Sequence, residues 1–356
     1  MSDATDSRLT RRTNYSRKTI VSVVVFLLIT IIGLTYVKWW PYYHKAIAAA
    51  LNGTIGSSIL SGISADGHAA PSWQAAIDYA VTYFRSVWKA AVLGILLGSL
   101  VQVLIPARWL YKLLGKANFR STLIGGAISL PGMMCSCCAA PVAAGMRKRH
   151  VSIGASMAFW LGNPVLNPAT LIFMTFVLSW KFTLLRIAFG LLLTFGIGYL
   201  ASRVARRSEA DVPEDVITDD IQEEGPLLTR FLKTVGRMSL HIIPAYLIGV
   251  VLLGAFQSFM FPVWVDGGIL AILLFAVVGS LFVIPTAAEI PIIQMFMTLG
   301  VGAGPAGALL MTLPAISLPS MMIVARAFPR KVLLFAFFGV VVVGVLTGLT
   351  AMWWLA

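Results

Sequence analysis

Apolar residues fill long stretches of this chain with neither the alternation of a strand nor the narrow stripe of a surface helix, and polar residues gather in clusters between them. A bilayer core needs roughly 20 apolar residues per helical crossing. The pattern predicts crossings near 19–37, 86–106, 151–179, 183–202, 238–258, 303–325 and 332–354. Two further apolar stretches, 121–146 and 268–300, are predicted to dip in and return on the same side as re-entrant hairpins, the first with Leu130-Pro131-Gly132 near its tip. The alternative, in which both cross fully, gives nine helices and parallel repeats.

Sliding the chain along itself by 150 positions pairs Pro141 with Pro291, Gly154 with Gly304 and Pro164 with Pro314. Gly162-Asn163-Pro164-Val165-Leu166-Asn167-Pro168 is echoed by Thr312-Leu313-Pro314-Ala315-Ile316-Ser317-Leu318-Pro319. Helix breakers at corresponding places in two apolar halves are the mark of a transporter built from repeats, with its binding site where the helices are interrupted. The predicted breaks are Pro131, Pro141, Pro164, Pro168, Pro291, Pro314 and Pro319.

Composition excludes a water-soluble fold: of 356 residues, 58% are hydrophobic and only 12% charged, so lipid is the solvent. The expected class is an all-α polytopic membrane protein, an inverted-repeat transporter with discontinuous and re-entrant helices. The net charge of +13 sits in short loops beside apolar spans, where basic residues orient helices, so no nucleic-acid partner is implied. Arg8, Arg11, Arg12, Arg17 and Lys18 make the N-terminus cytoplasmic. The first apolar run is followed by Lys38-Trp39-Trp40-Pro41 rather than a small-residue cleavage site, and is read as an uncleaved anchor. Trp39, Trp40, Tyr42 and Tyr43 resemble an interfacial aromatic belt, and 46–63 is read as a short surface helix.

Charge also relates the halves. Arg108, Lys112, Lys116 and Arg120, then Arg147-Lys148-Arg149, are cytoplasmic by the charge rule, yet their counterparts at 257–270 and 297–300 hold no Lys or Arg. The sparse loop at Lys181 corresponds instead to Arg326, Arg330 and Lys331, so the copies are expected to be inverted. The expected domains are an anchor and outward segment over 1–82, a first repeat over 83–207, an acidic cytoplasmic linker over 208–229 and a second, inverted repeat over 230–356. Eight of the fourteen acidic residues crowd between Glu209 and Glu224.

All three cysteines lie in Cys135-Ser136-Cys137-Cys138. Thiols sharing one turn beside a helix break make a soft, polarisable site suited to thiophilic metals or metalloids, although cysteine also packs well as a small apolar residue. Cys135 and Cys138 form a C-x-x-C pair, which raises a membrane thiol-disulfide oxidoreductase as a rival; no second thiol pair exists to complete a relay. Glu289 is the only carboxylate inside the predicted spans, where insertion costs roughly 2.5–3.5 kcal/mol and such residues are functional by default. It is the candidate for proton coupling, against a plainer role capping a half-helix before Pro291. Inverted copies bring equivalent breaks face to face, so the thiol turn and Glu289 are expected to approach each other. Asn163, Asn167, Thr312 and Ser317 sit at the second pair of breaks, where they either satisfy freed backbone groups or bind substrate. No zinc-ligand spacing, phosphate-cradling loop or Ser/His/Asp set occurs, so neither enzymatic catalysis nor a cofactor is expected.

Cys135-Ser136-Cys137 with Pro141-Val142, Gly154-Ala155, Ala158-Phe159 and Asn163-Pro164-Val165-Leu166-Asn167-Pro168 resembles the signature of the ArsP-like (YraQ-like) predicted permease family. Ala288-Glu289-Ile290-Pro291 and Leu313-Pro314-Ala315-Ile316-Ser317-Leu318-Pro319 resemble its later motif, and the likeness covers about 83–356. The resemblance implies a multi-pass bacterial inner-membrane permease, with efflux of trivalent methylated arsenicals as the best-known activity. It places Cys135, Ser136, Cys137, Cys138, Asn163, Asn167, Thr312 and Ser317 in the transport core. The chain departs in having Cys138 where glycine is common, and in its added N-terminal segment. The expected partners are a small solute and the bilayer, with self-association left open. Uptake of a sulfur-containing metabolite is the alternative transport reading, and a structural subunit of a larger complex is a further rival.

Overall fold

The computed structural model describes residues 20–60, 73–205, 226–261 and 268–355, apart from the Ser258 side chain. Most of the acidic linker and Asn52-to-Trp73 connection therefore lies outside the described residues. Helix α1 (Ile20–Asn52) carries a π-helical turn at Thr35–Trp39 and ends at Gly53, whose φ of 63° supplies the left-handed cap. Its first third is exposed and apolar, as a lipid-facing surface requires. Helix α2 spans Trp73–Leu104. It begins well before the apolar run predicted from residue 86, because Gln74, Asp78, Arg85 and Lys89 lower the hydropathy of turns that are nonetheless helical.

The predicted hairpin is two short helices, α3 (Phe119–Ser129) and α4 (Ser136–Lys148), joined by a 3₁₀ turn over Leu130–Gly132. Ser152 N donates to Leu114 O at 2.9 Å, so the chain returns beside the point it left. Each arm, at about 1.5 Å per residue, is too short for a bilayer core. Asn118 accepts from Ser121 N at 2.8 Å to start α3. Pro141 does not break α4, contrary to the sequence expectation: the helix runs through it, and the interruption lies at residues 130–135. Losing one N–H inside a buried helix is tolerated where neighbouring groups surround the freed carbonyl.

The predicted crossing at 151–179 is interrupted. α5 (Ile153–Val165) and α6 (Pro168–Val177) flank a break at Leu166-Asn167, followed by α7 (Trp180–Ala205). The second half reads α8 (Leu227–Ala255), α9 (Ile269–Leu281), α10 (Glu289–Thr298), α11 (Ala303–Ala315), α12 (Leu318–Val324) and α13 (Arg330–Trp354). Phe119 and Ile269, Ile153 and Ala303, Pro168 and Leu318, and Trp180 and Arg330 open corresponding helices, each pair 150 positions apart. Six helical stretches among the described residues are long and apolar enough to cross a membrane.

Every residue of α5 and nearly every residue of α11 is buried, so these broken helices form the core. α3, α4 and α7 pack on α5, while α9, α10 and α13 pack on α11. The corresponding helices α2 and α8 lie side by side and run antiparallel. Tyr79 meets Gly254 at one end, Tyr83 and Tyr246 have ring centroids 6.4 Å apart, and Ser99 Oγ lies 3.4 Å from Met238 Sδ at the other end. Close approach of α2 to α4 depends on glycine: a Cβ at Gly98 would stand 2.6 Å from the Pro141 carbonyl oxygen.

Candidate functional site

The thiol turn is the start of α4. Cys135 is its N-cap residue, and Ser136, Cys137 and Cys138 fill its first turn. All three thiols are free and buried. Cys135 Sγ lies 2.8 Å from Cys138 Sγ, Cys137 Sγ lies 3.3 Å from Ser317 Oγ, and Cys138 Sγ lies 3.9 Å from Tyr246 Oη. Trp160 Nε1 donates to Ser136 O at 2.9 Å and holds the turn against α5. Just ahead of it, Met133 adopts a left-handed φ of 47°, and Ala287 ahead of α10 has a φ of 70°. Such backbone is uncommon outside glycine and concentrates at functional sites.

The other predicted residues divide. Ser317 joins the thiols and also caps α12 in a reciprocal pair with Ser320, at 2.9 and 3.4 Å. Asn167 Oδ1 caps α6 through Ala169 N and Thr170 N at 3.0 and 3.3 Å, while its Nδ2 is buried without a partner among the described residues. Asn163 Nδ2 donates to Phe159 O at 2.9 Å, leaving buried Oδ1 unpartnered beside Gly132. Thr312 turns away from the thiols: its hydroxyl donates to Ala308 O within α11 and packs against α9 and α13. Pro168 and Pro319 sit in the first turns of α6 and α12, where a missing N–H costs nothing, while Pro164 and Pro314 close α5 and α11.

Glu289 begins α10, and its Oε1 lies 2.7 Å from Arg186 Nη1 with both side chains buried. Arg186 also donates from Nε to Val165 O at 2.9 Å and from Nη2 to Pro164 O at 2.8 Å. One guanidinium thus satisfies two carbonyls freed by the α5–α6 break and neutralises the buried acid. Glu289 Oε2 has no partner among the described residues. Sequence reasoning missed Arg186 although it lies inside the predicted crossing at 183–202; a lone cation in an apolar run was the signal.

A cavity of about 410 Å³ reaches Cys135. Its wall includes Lys38, Lys45, Arg85 and Lys89, together with Pro285–Ala288 and Pro291 at the start of α10. The thiol turn and the acid-bearing turn therefore face one cavity, while the Glu289 carboxylate itself points to Arg186. Lys38, on the π-helical turn of α1, is buried and donates to Tyr42 Oη at 3.0 Å and Thr286 Oγ1 at 3.1 Å. π-Helical turns recur at functional positions. Two members of the expected aromatic belt turn inward instead: Trp39 Nε1 donates to Pro131 O at 2.8 Å, and Tyr42 meets Phe173 edge-on. Trp40 and Tyr43 remain exposed.

A second cavity, about 290 Å³, lies at the far end of α4 and is lined by Arg147, Lys148, Arg237, His241 and Arg326. Burial, and then the nearby Arg237 charge, lower the Lys148 ammonium from its ordinary range; burial and Arg230 lower the Arg149 guanidinium.

Broken helices around a buried polar core, with cavities at both ends of a half-length helix, define a polytopic membrane protein of the transporter class. The chain belongs to the predicted permease family: the family model of that description matches residues 130–352. The UPF0718 protein YraQ of Escherichia coli K12 is 50% identical over 329 residues, covering 91% of this chain and 93% of that protein. The UPF0718 protein MJ0584 of Methanocaldococcus jannaschii is 22% identical over 276 residues, covering 59% of this chain and 75% of that protein. No solved structure matches.

Proposed function

We propose that the protein is a bacterial inner-membrane permease that moves a small thiophilic solute by alternating access between two inverted halves, with its N-terminus cytoplasmic. The observation that carries this reading is the buried thiol turn, which begins at the floor of one cavity and heads a helix whose other end lines a second. Cys135, Cys137 and Cys138 bind the soft centre of the solute, with Ser136, Ser317 and the Asn163 and Asn167 amides around the breaks shaping the path. The antiparallel run of α2 and α8 supports the inversion. Efflux of a trivalent methylated arsenical is the first form of the reading, and uptake of a sulfur-containing solute is the second, favoured by the cationic wall of the larger cavity.

Glu289 is the proposed proton carrier, and its pair with Arg186 is the resting state. Release from Arg186 frees the carboxylate to take a proton, and renewed pairing expels it. Purified protein in liposomes, compared with a triple cysteine-to-serine variant and Glu289→Gln, tests both assignments by uptake of methylarsenite and antimonite. The thiol variant is expected to lose uptake, and Glu289→Gln to lose its response to a pH gradient. A fully active triple variant removes the thiols from the mechanism. A resistance assay in an arsenical-sensitive bacterial strain expressing the protein tests direction: unchanged sensitivity ends the efflux form.

A further inference from the structure

We infer that the transported solute is an anion, drawn in by the cations that line the larger cavity and held at its inner end between Lys38 and the Cys135 thiol. The inference rests on the permease reading above and narrows it to a chemical class: a small anion with a soft, thiol-compatible centre.

The larger cavity carries the argument. It is lined by Lys38, Lys45, Arg85 and Lys89, and no carboxylate among the described residues lines it. The described residues contain two carboxylates in all. Asp78 is exposed with Gln74 as its hydrogen-bond partner, and Glu289 is paired with Arg186. Clefts walled by one sign of charge focus the field and concentrate counter-ions of the opposite sign.

The larger cavity is also on the wrong side for topology to explain its charge. The basic loops around Arg147–Arg149 assign the smaller cavity to the cytoplasm, so Lys45, Arg85 and Lys89 lie on the outward side, where the positive-inside rule disfavours them. Their presence there needs another cause, and attraction of an anion supplies one.

Lys38 is the built part of the site. It is 5% exposed, lines the cavity that Cys135 also lines, and spends two of its three donors on Tyr42 and Thr286. The N-terminus of the thirteen-residue helix α4 opens on the same point, adding the positive end of its dipole. That helix is about 20 Å long, so a single short element lies between this site and the second cavity. An uncharged solute gains nothing from this arrangement, and a metal cation is repelled by it. Lys38, Lys45, Arg85 and Lys89 lie outside residues 130–352, so the cationic wall is contributed by α1 and α2 rather than by the family-matched core.

Proteoliposomes bearing the full chain are tested with radiolabelled thiosulfate as the anionic probe and methylarsenite as the neutral one, using wild type, Lys38→Gln, Lys38→Arg and Arg85→Gln. The expected result is thiosulfate flux that falls as ionic strength rises, drops roughly ten- to hundredfold in Lys38→Gln, the scale of a lost charged hydrogen bond, and partly survives in Lys38→Arg. Arg85→Gln, at the rim, is expected to flatten the ionic-strength dependence with a smaller loss. Retention of charge in Lys38→Arg separates an electrostatic role from a packing one. Methylarsenite flux without thiosulfate flux, or thiosulfate flux indifferent to Lys38→Gln, overturns the anion inference and leaves the permease reading intact. Flux of neither probe in wild type overturns both.

Discussion

The ion pair between Arg186 and Glu289 is buried, and its energetics can be separated by a double-mutant cycle. The two atoms are 2.7 Å apart, and the side chains are 0% and 2% exposed. Removing one partner of such a pair costs about 3–5 kcal/mol, because a charge is left buried. Glu289→Gln retains an acceptor for Nη1, and the guanidinium keeps its bonds to Pro164 O and Val165 O. Its expected cost is therefore near the low end, about 3 kcal/mol. Arg186→Met strands the carboxylate and also strips two carbonyls of charged donors worth about 1.5–3 kcal/mol each, so it should cost 5 kcal/mol or more. The double variant holds no buried charge and should be more stable than the sum of the singles predicts by at least about 2 kcal/mol. Reversible unfolding in bicelles, followed by tryptophan fluorescence, measures all four corners. Single effects that add to within about 0.5 kcal/mol, or a Glu289→Gln cost at least equal to that of Arg186→Met, refute the reasoning.

Three further outcomes follow from the geometry. Gly98→Val should lower stability by about 1–3 kcal/mol, read as a fall in the thermal midpoint in detergent, because its Cβ meets the Pro141 backbone at 2.6 Å rather than a movable side chain. Ser317→Ala should cost about 1 kcal/mol through the lost α12 cap, and should also weaken solute binding, since the same hydroxyl touches Cys137; a cap of purely structural importance would leave affinity unchanged in a binding titration. Among methanethiosulfonate reagents, the anionic form should modify Cys135 several-fold faster than the cationic form, because the wall of its cavity is cationic; equal rates, or faster labelling of Cys137 than Cys135, contradict the placement.

The parts of the structure governed by local backbone chemistry were legible in the chain. Pro168 and Pro319 locate the starts of α6 and α12, because proline is favoured in a helix's first turn, and Pro164 and Pro314 fall at the ends of α5 and α11. The thiols were visible as a cluster; the companion expected for them from the other half was Glu289, which pairs with Arg186, and Ser317 is a side chain that reaches them. What failed to show was anything decided by a distant partner. Pro141 reads as a breaker, yet burial lets α4 continue through it. Lys38 reads only as the residue that ends the first apolar run, whereas its neighbour in space is Thr286, nearly 250 positions away. Arg186 has no sequence neighbour that explains it; its three acceptors come from Pro164, Val165 and Glu289. The first turns of α2 escaped for the complementary reason, since cations lining a cavity resemble the polar flank of a shorter helix.

The two halves share a plan but not a chemistry. In the first half the short helix after the hairpin tip is α4, thirteen residues long with thiols at its start; its counterpart α10 has ten residues and starts at Glu289. α4 is wedged among α2, α5 and α12, with backbone contacts at Gly98 that leave no room for sliding. α10 is packed through Ile290, Ile292, Ile293 and Phe296, and its ion pair joins it to the cation that also holds the α5–α6 break. A change in the charge of Glu289 therefore acts at once on α10, which bounds the cavity beside Cys135, and on the break in α5–α6. Under the proposed function solute capture falls to α4 and gating to α10, so loss of the ion pair should disturb the timing of access while leaving the thiols in place.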